Sequence, residues 1–239
     1  MNEMTPFANR DVCDLIIQDF LTGKEIEYFP YANTTATEVT GDAVYAYGGQ
    51  GHPKRATFNG DKGGTFTIDT QVQTAKLYSI MSGANIIKTA DWLQREELVA
   101  GEGGTLTLSK TPIDETVNVY SVSDDCGTTL ETSVSGTSVS GSGITEGNTY
   151  IAYYQVQLTD VQNVSIKSNT FPKAVKIYAD TWDKGIDDEI LAKKLIIYKA
   201  QPQNNFSISN SNSGDPATLS LKFDLMADGK NNFLDIINA

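Results

Sequence analysis

The 239-residue chain carries thirty acidic against eighteen basic residues, a net charge of −12. That excess excludes a grip on nucleic acid through clustered Lys and Arg, and no run of about eighteen apolar residues marks a membrane-spanning helix. The length suits one large β domain, or one domain with a small insert, and is enough to bury a real core.

Residues 1–13 show little periodicity and read as an N-terminal arm. Residues 15–20 and 25–29 form a hairpin about Thr22, Gly23 and Lys24, the return strand setting Ile26 and Tyr28 against Glu25 and Glu27. Residues 30–42 have no apolar pattern and read as a long loop leading to a strand over 43–47. Connections of this length inside a β domain are usually functional or disordered, and Tyr28, Phe29 and Tyr31 at its root favour docking.

Residues 55–83 carry the best-formed signal. Thr57 and Phe58 lead into a glycine-rich hairpin loop over 59–64. The return strand 65–69 places Phe66 and Ile68 on one face and Thr65, Thr67 and Asp69 on the other. Thr70 and Gln73 have capping-box spacing, Leu77, Ile80, Met81 and Ala84 recur at helical spacing, and Gly83 stands where a left-handed residue closes a helix.

Residues 86–98 fit either a helical turn or an irregular strand. Residues 105–154 are rich in Thr, Ser and Gly with short alternating runs, and read as a small immunoglobulin-like or meander β insert; the alternative for 133–143 is a flexible linker. The last third is β again, with strands over 174–181, 194–199 and 205–209 and a polar turn over 183–189. The cleanest strand is 218–226, where Leu219, Leu221, Phe223 and Leu225 oppose Thr218, Ser220, Lys222 and Asp224. Phe233, Leu234, Ile236 and Ile237 are too apolar for a free tail and are expected to dock. The fold class expected is mainly β: a β-sandwich or half-barrel over 14–104 and 155–239 with one short flanking helix, plus the insert.

The chemistry of a catalytic site is not evident. The opening residues lack a basic segment followed by an apolar one, so no signal peptide is expected. Cys13 and Cys126, far apart and outside any C-x-x-C pair, are expected as unlinked thiols. His52 has no metal-ligand spacing around it and reads as a surface loop residue. No serine sits in G-x-S-x-G, and the glycine clusters at 48–51, 60–64 and 101–104 lack the G-K-[ST] ending of a phosphate loop, so they are turns. The carboxylates at 180–189 miss calcium-loop spacing and read as an acidic hairpin. Neither enzyme activity, cofactor nor metal is expected.

Two regions together resemble the major tail tube proteins of long-tailed bacteriophages, part of a superfamily shared with type VI secretion tubes. The first is the glycine hairpin, Thr-rich strand and short helix, as in residues 63–70 and 77–83. The second is the polar hairpin at 183–188, a basic and apolar strand at 193–200, a Ser/Asn segment at 207–213, and the closing strand begun by Gly214, Asp215, Pro216, Ala217 and Thr218. The resemblance covers residues 14–100 and 155–239 and rests on motif order.

It implies a sandwich with one flanking helix, copies joined edge to edge in hexameric rings, and rings stacked into a tube. Carried onto this chain, it implies a ring-stacking loop bearing Tyr28, Phe29, Tyr31, Thr34, Thr35, Thr37, Glu38 and Val39. It also implies a subunit-boundary helix with Val72, Leu77, Tyr78, Ile80 and Met81, and a docking C-terminus at Phe233, Leu234, Ile236 and Ile237. Glu25, Glu27, Asp69 and Asp224, which oppose apolar faces, become lumen-facing acids of a wall past which DNA slides without specific binding. The implied partners are further copies of the chain, tape-measure, tail terminator and baseplate proteins, and a sheath if the tail contracts. The implied location is the virion tail, assembled in the host cytoplasm without a membrane. The rival readings are the tube of a contractile injection or type VI-like machine, a carbohydrate- or surface-binding β module argued from 105–154, and a hydrolase on a β scaffold.

Overall fold

The computed structural model describes residues 6–210, 212 and 214–239; residues 1–5 of the expected arm, and Ser211 and Ser213 of the Ser/Asn segment, lie outside them. In chain order the elements are β1 (Phe7–Ala8), β2 (Asp14–Asp19), β3 (Glu25–Phe29), β4 (Thr34–Tyr47), β5 (Lys54–Thr70), α1 (Ala75–Ser82), β6 (Ile86–Val99), β7 (Thr105–Thr107) and β8 (Asn118–Ser121). They continue with β9 (Ser133–Ser135), β10 (Ser138–Ser140), β11 (Thr149–Val164), β12 (Val175–Gly185), β13 (Ile190–Pro202), β14 (Leu219–Met226) and β15 (Leu234–Asn238). The fold is mainly β, of the sandwich type with a short helix, as the alternating patterns predict.

The chain forms two compact units, one of residues 1–86 and 164–239, the other of 87–163. In the first, a nine-stranded antiparallel sheet runs β3-β2-β12-β13-β14-β5-β4, with β1 added to β12 and β15 to β13. One face is apolar because period-2 alternation sends every second residue to it. Leu15, Ile17, Phe66, Ile68, Ile177, Ile197, Leu221 and Phe223 are buried together there with Leu77 and Met81 of α1. Phe66 and Phe223 stand directly opposite each other on β5 and β14. Burial of each such side chain is worth about 1.5–3 kcal/mol relative to exposure. β14 behaves as its pattern requires, its apolar residues buried in strict alternation.

Four local expectations are corrected. The hairpin turn is not at 59–64, which lies within β5; it is at 48–53, where Gly49, Gly51 and His52 take positive φ angles of 90°, 84° and 48°. Residues 34–42 are strand β4, laddered to β5 from Thr34↔Asp69 to Tyr47↔Lys54. Both faces of this ribbon are wet, so no alternation announced it. The glycines at 60 and 64 serve close approach instead: a Cβ on Gly64 would meet the Glu38 carbonyl oxygen and, at 3.3 Å, the Phe233 ring. The helix N-cap is Thr74, whose hydroxyl accepts the Leu77 N–H at 3.2 Å. Thr70 is buried, its hydroxyl 2.9 Å from the carbonyl oxygens of Tyr31 and Val72, so it ties a loop and does not cap.

Gly83 ends α1 as expected, at φ 73° with its N–H on the Ser79 carbonyl. A Cβ there would also collide with the Phe171 carbonyl oxygen. Gly83→Ala is therefore expected to destabilise the protein by about 2 kcal/mol, from left-handed strain plus displaced backbone; urea unfolding measures it.

The second unit begins at 87 and ends at 163, wider than 105–154, because β6 pairs with β11 in a three-stranded sheet ordered β6-β11-β8. The ambiguous 86–98 stretch is thus strand. A second sheet, β7-β10-β9, contributes Leu106 and Val139 to a core shared with Val119, Tyr150, Ala152, Tyr154 and Val156. Residues 133–140 are a hairpin about Gly136 (φ 60°) with Val139 fully buried, not a linker. Residues 205–209, expected as a strand, are irregular, and Phe206 packs near Tyr78.

Candidate functional site

The feature that stands out is the β4–β5 ribbon. From Val39 to Tyr47 and from Lys54 to Lys62 every residue is exposed. Yet it carries Val39, Val44, Tyr45, Tyr47 and Phe58, each 38–67 % exposed. Val44 faces Phe58 across the ladder and Tyr45 faces Thr57, so apolar groups occupy both sides. Lys54 Nζ caps the Tyr45 ring at 3.6 Å, and Tyr45 and Tyr47 meet edge-on at 6.5 Å. A two-stranded ribbon is marginal in water on its own, and its outer edges present unpaired N–H and C=O groups, the natural template for another strand.

The expected ring-stacking residues divide along this architecture. Thr34, Thr35, Thr37, Glu38 and Val39 lie on β4, at the root of the ribbon. Phe29 belongs to the core, fully buried with Tyr31 edge-on at 5.7 Å. Tyr28 and Tyr31 are exposed. The Tyr28 hydroxyl is held 3.3 Å from Asp14, whose negative charge raises the phenol's pKa above the ordinary value. Val44, Tyr45, Tyr47 and Phe58 are not legible as a surface in the sequence, where the one available signal is the cluster of apolar residues just before Gly48 and Gly49.

The expected lumen acids do not all share a face. Asp69 and Asp224 lie on the face of the sheet opposite α1, paired with Ser220 and Thr65. Glu25 joins them opposite Gln18, whose amide donates to it at 3.0 Å. Hydrogen bonds from its own backbone N–H and from Gln18 lower its pKa. Glu27 is on the helix side, ion-paired to Lys76 at 2.8 Å. A β-bulge between Ile17 and Gln18 causes this, leaving Ile26 without a ladder partner and reversing the alternation between the two glutamates. Lysines interleave the same face, two of them engaged: Lys194 with Asp180 at 3.1 Å, and Lys176 over the rings of Tyr178 and Tyr198.

Leu77, Ile80 and Met81 of the helix are spent on the protomer's own core and Tyr78 packs against it, while Val72, ahead of the helix, is exposed. At the C-terminus, Phe233 and Leu234 pack against the core while Ile236 and Ile237 stay 61 % and 43 % exposed on β15. The cavity of about 120 Å³ beside the helix end includes Asp19 and Lys173. The Asp19 carboxylate is occupied by the Thr22 N–H and hydroxyl and the Leu21 N–H, which lower its pKa. Among the described residues no group of three or more His, Cys, Asp or Glu is placed to hold a metal ion.

In the second unit, Arg95 binds Asp125 at 3.1 Å and Tyr153 at 3.1 Å, and its hydrogen bond lowers the Asp125 pKa. Trp92 and Leu93 are exposed on β6. Cys126 is exposed and Cys13 buried, and both are free thiols. Burial raises the Cys13 pKa.

No curated protein shows significant sequence similarity to the chain. Residues 9–236 do match the family model of the YomU/Tube protein family, and the chain belongs to that family of structural tube proteins.

Proposed function

We propose that the protein is the subunit of a phage tail tube, joining as hexameric rings that stack into a conduit for DNA ejection. The observation that carries this reading is the β4–β5 ribbon, exposed on both faces, apolar on both, and open at its edges. In the stacked state a neighbouring ring covers Val44, Tyr45, Tyr47 and Phe58, while sheet edges meet between copies within a ring. The −12 charge suits a channel for DNA, since a negative wall repels phosphates and lets the genome slide. Asp69, Asp224 and Glu25 are the proposed wall residues, on the face that α1 leaves uncovered. Tape-measure, terminator and baseplate proteins meet such a tube inside and at its ends. The location proposed is the virion tail.

Purified protein, concentrated and examined by negative-stain electron microscopy, is expected to form rings and tubes. A strictly monomeric species at high concentration, with neither, would sink the proposal.

A further inference from the structure

Three residues far apart in sequence meet at the edge of β12. Asp183 is completely buried, an expensive place for a carboxylate unless its oxygens are engaged. Its Oδ1 accepts the Asn9 Nδ2 amide at 2.9 Å, and its Oδ2 lies 3.1 Å from Lys193 Nζ. Lys193 is itself largely buried, with the Phe7 ring 5.3 Å from its Nζ. The Asn9 amide nitrogen also donates to the Trp182 carbonyl at 2.9 Å and lies 3.3 Å from Thr181 Oγ1. The carbonyl oxygen of the same side chain, Oδ1, accepts the backbone N–H of Asp11 at 3.1 Å.

Each partner suits one step of an amide transfer. Lys193 is the nucleophile, Asn9 Cγ the electrophile, and Asp183 a single carboxylate in reach of both nitrogens. The Asp11 N–H sits where negative charge would develop on Oδ1, the position an oxyanion donor needs. A surface ion pair would need neither a fully buried carboxylate nor an amide on its second oxygen.

We infer that Lys193 and Asn9 form an intramolecular isopeptide bond, with Asp183 as the proton shuttle. A proton passes from Lys193 Nζ to Asp183 Oδ2, and the free amine attacks Asn9 Cγ. The new C–N bond gives a tetrahedral centre whose oxygen the Asp11 N–H holds. Asp183 then gives that proton to Asn9 Nδ2, the Cγ–Nδ2 bond breaks, ammonia leaves, and the freed Asp183 carboxylate takes the second proton from Nζ, leaving a neutral secondary amide. An amine and a primary amide become a secondary amide and ammonia, with no change of oxidation state. The bond clamps the segment after β1 onto β13 across β12, so the end of the sheet cannot peel from the N-terminal side. Like any long-range crosslink, it restricts the unfolded chain. It does not depend on the tube reading.

Intact-mass spectrometry of the full-length protein tests it, with Lys193→Arg and Asn9→Ala as controls. The wild-type protein is expected to weigh about 17 Da less than its sequence, the mass of one ammonia, and both variants their full calculated mass. Trypsin digestion after denaturation is expected to yield a branched peptide in which the fragment ending at Arg10 is joined to residues 185–194. Asp183→Asn should retain the ammonia; should that variant fail to fold, the wild-type peptide map decides alone. Recovery of the two fragments entirely unlinked after prolonged incubation overturns the inference. So does a deficit of about 17 Da without the branched peptide.

Discussion

Replacing residues 42–61 by Asn-Gly is expected to abolish ring stacking while leaving the protomer folded. Gly41 and Lys62 already face each other across the β4–β5 ladder, so a two-residue turn closes them without changing register. Every excised residue but the half-buried Gly48 is exposed, and the loss should change the unfolding free energy by less than about 1 kcal/mol. It nevertheless carries Val44, Tyr45, Tyr47 and Phe58, the apolar groups of the ribbon tip. The variant should stay soluble and give no tubes by electron microscopy. Val44→Asp combined with Phe58→Asp should act in the same direction with the backbone intact, because both sit at one rung of the ladder and each places a charge where a neighbour must dry the surface. Normal tubes from the excision variant would remove the ribbon from the assembly mechanism.

The largest effect on stability is expected from Phe223→Ala. Phe223 is fully buried opposite Phe66, at the junction of β14 and β5, within the cluster that also holds Leu77 and Met81 of α1. Truncation leaves a cavity between two sheet strands and a helix, and should cost about 3–5 kcal/mol. Since whole domains hold only about 5–15 kcal/mol of net stability, most of the margin would go. Urea denaturation should show the midpoint falling with the slope preserved. Met226→Ala makes the contrast on the same strand. Met226 lies on the other face, 42 % exposed, and its loss should cost less than about 1 kcal/mol. Equal effects from the two substitutions would mean that β14 does not divide core from surface as described.

β14, the second half of β5 and α1 were legible because each buries one face, and burial writes itself into sequence as alternation or helical spacing. Gly83 was legible because only glycine tolerates both its φ and the nearby Phe171 carbonyl. The β4–β5 ribbon is not legible as strand because neither face of its outer part is buried within the protomer, so nothing constrains its hydrophobic pattern. The capping box at Thr70 and Gln73 has the right spacing, but Thr74 lies one turn nearer the helix and Thr70 has backbone partners of its own. Glu27 was put with Glu25 because alternation assumes an unbroken ladder; the bulge at Ile17 reverses it.

By itself, then, the sequence determined the mainly β class, the strands with a dry face, the helix and its glycine stop, and the lack of any catalytic motif. These are local facts, carried by neighbouring residues through backbone sterics and period-2 or period-3.6 burial. The tertiary structure alone decided the exposed ribbon, the true limits of the second unit at 87 and 163, and the meeting of Asn9, Asp183 and Lys193. The ribbon is a hairpin whose exposure is set by what packs on it, whereas the triad needs β1 brought to β12 with Phe7 opposite Gly185, and pairing over such distances is chosen by the whole sheet.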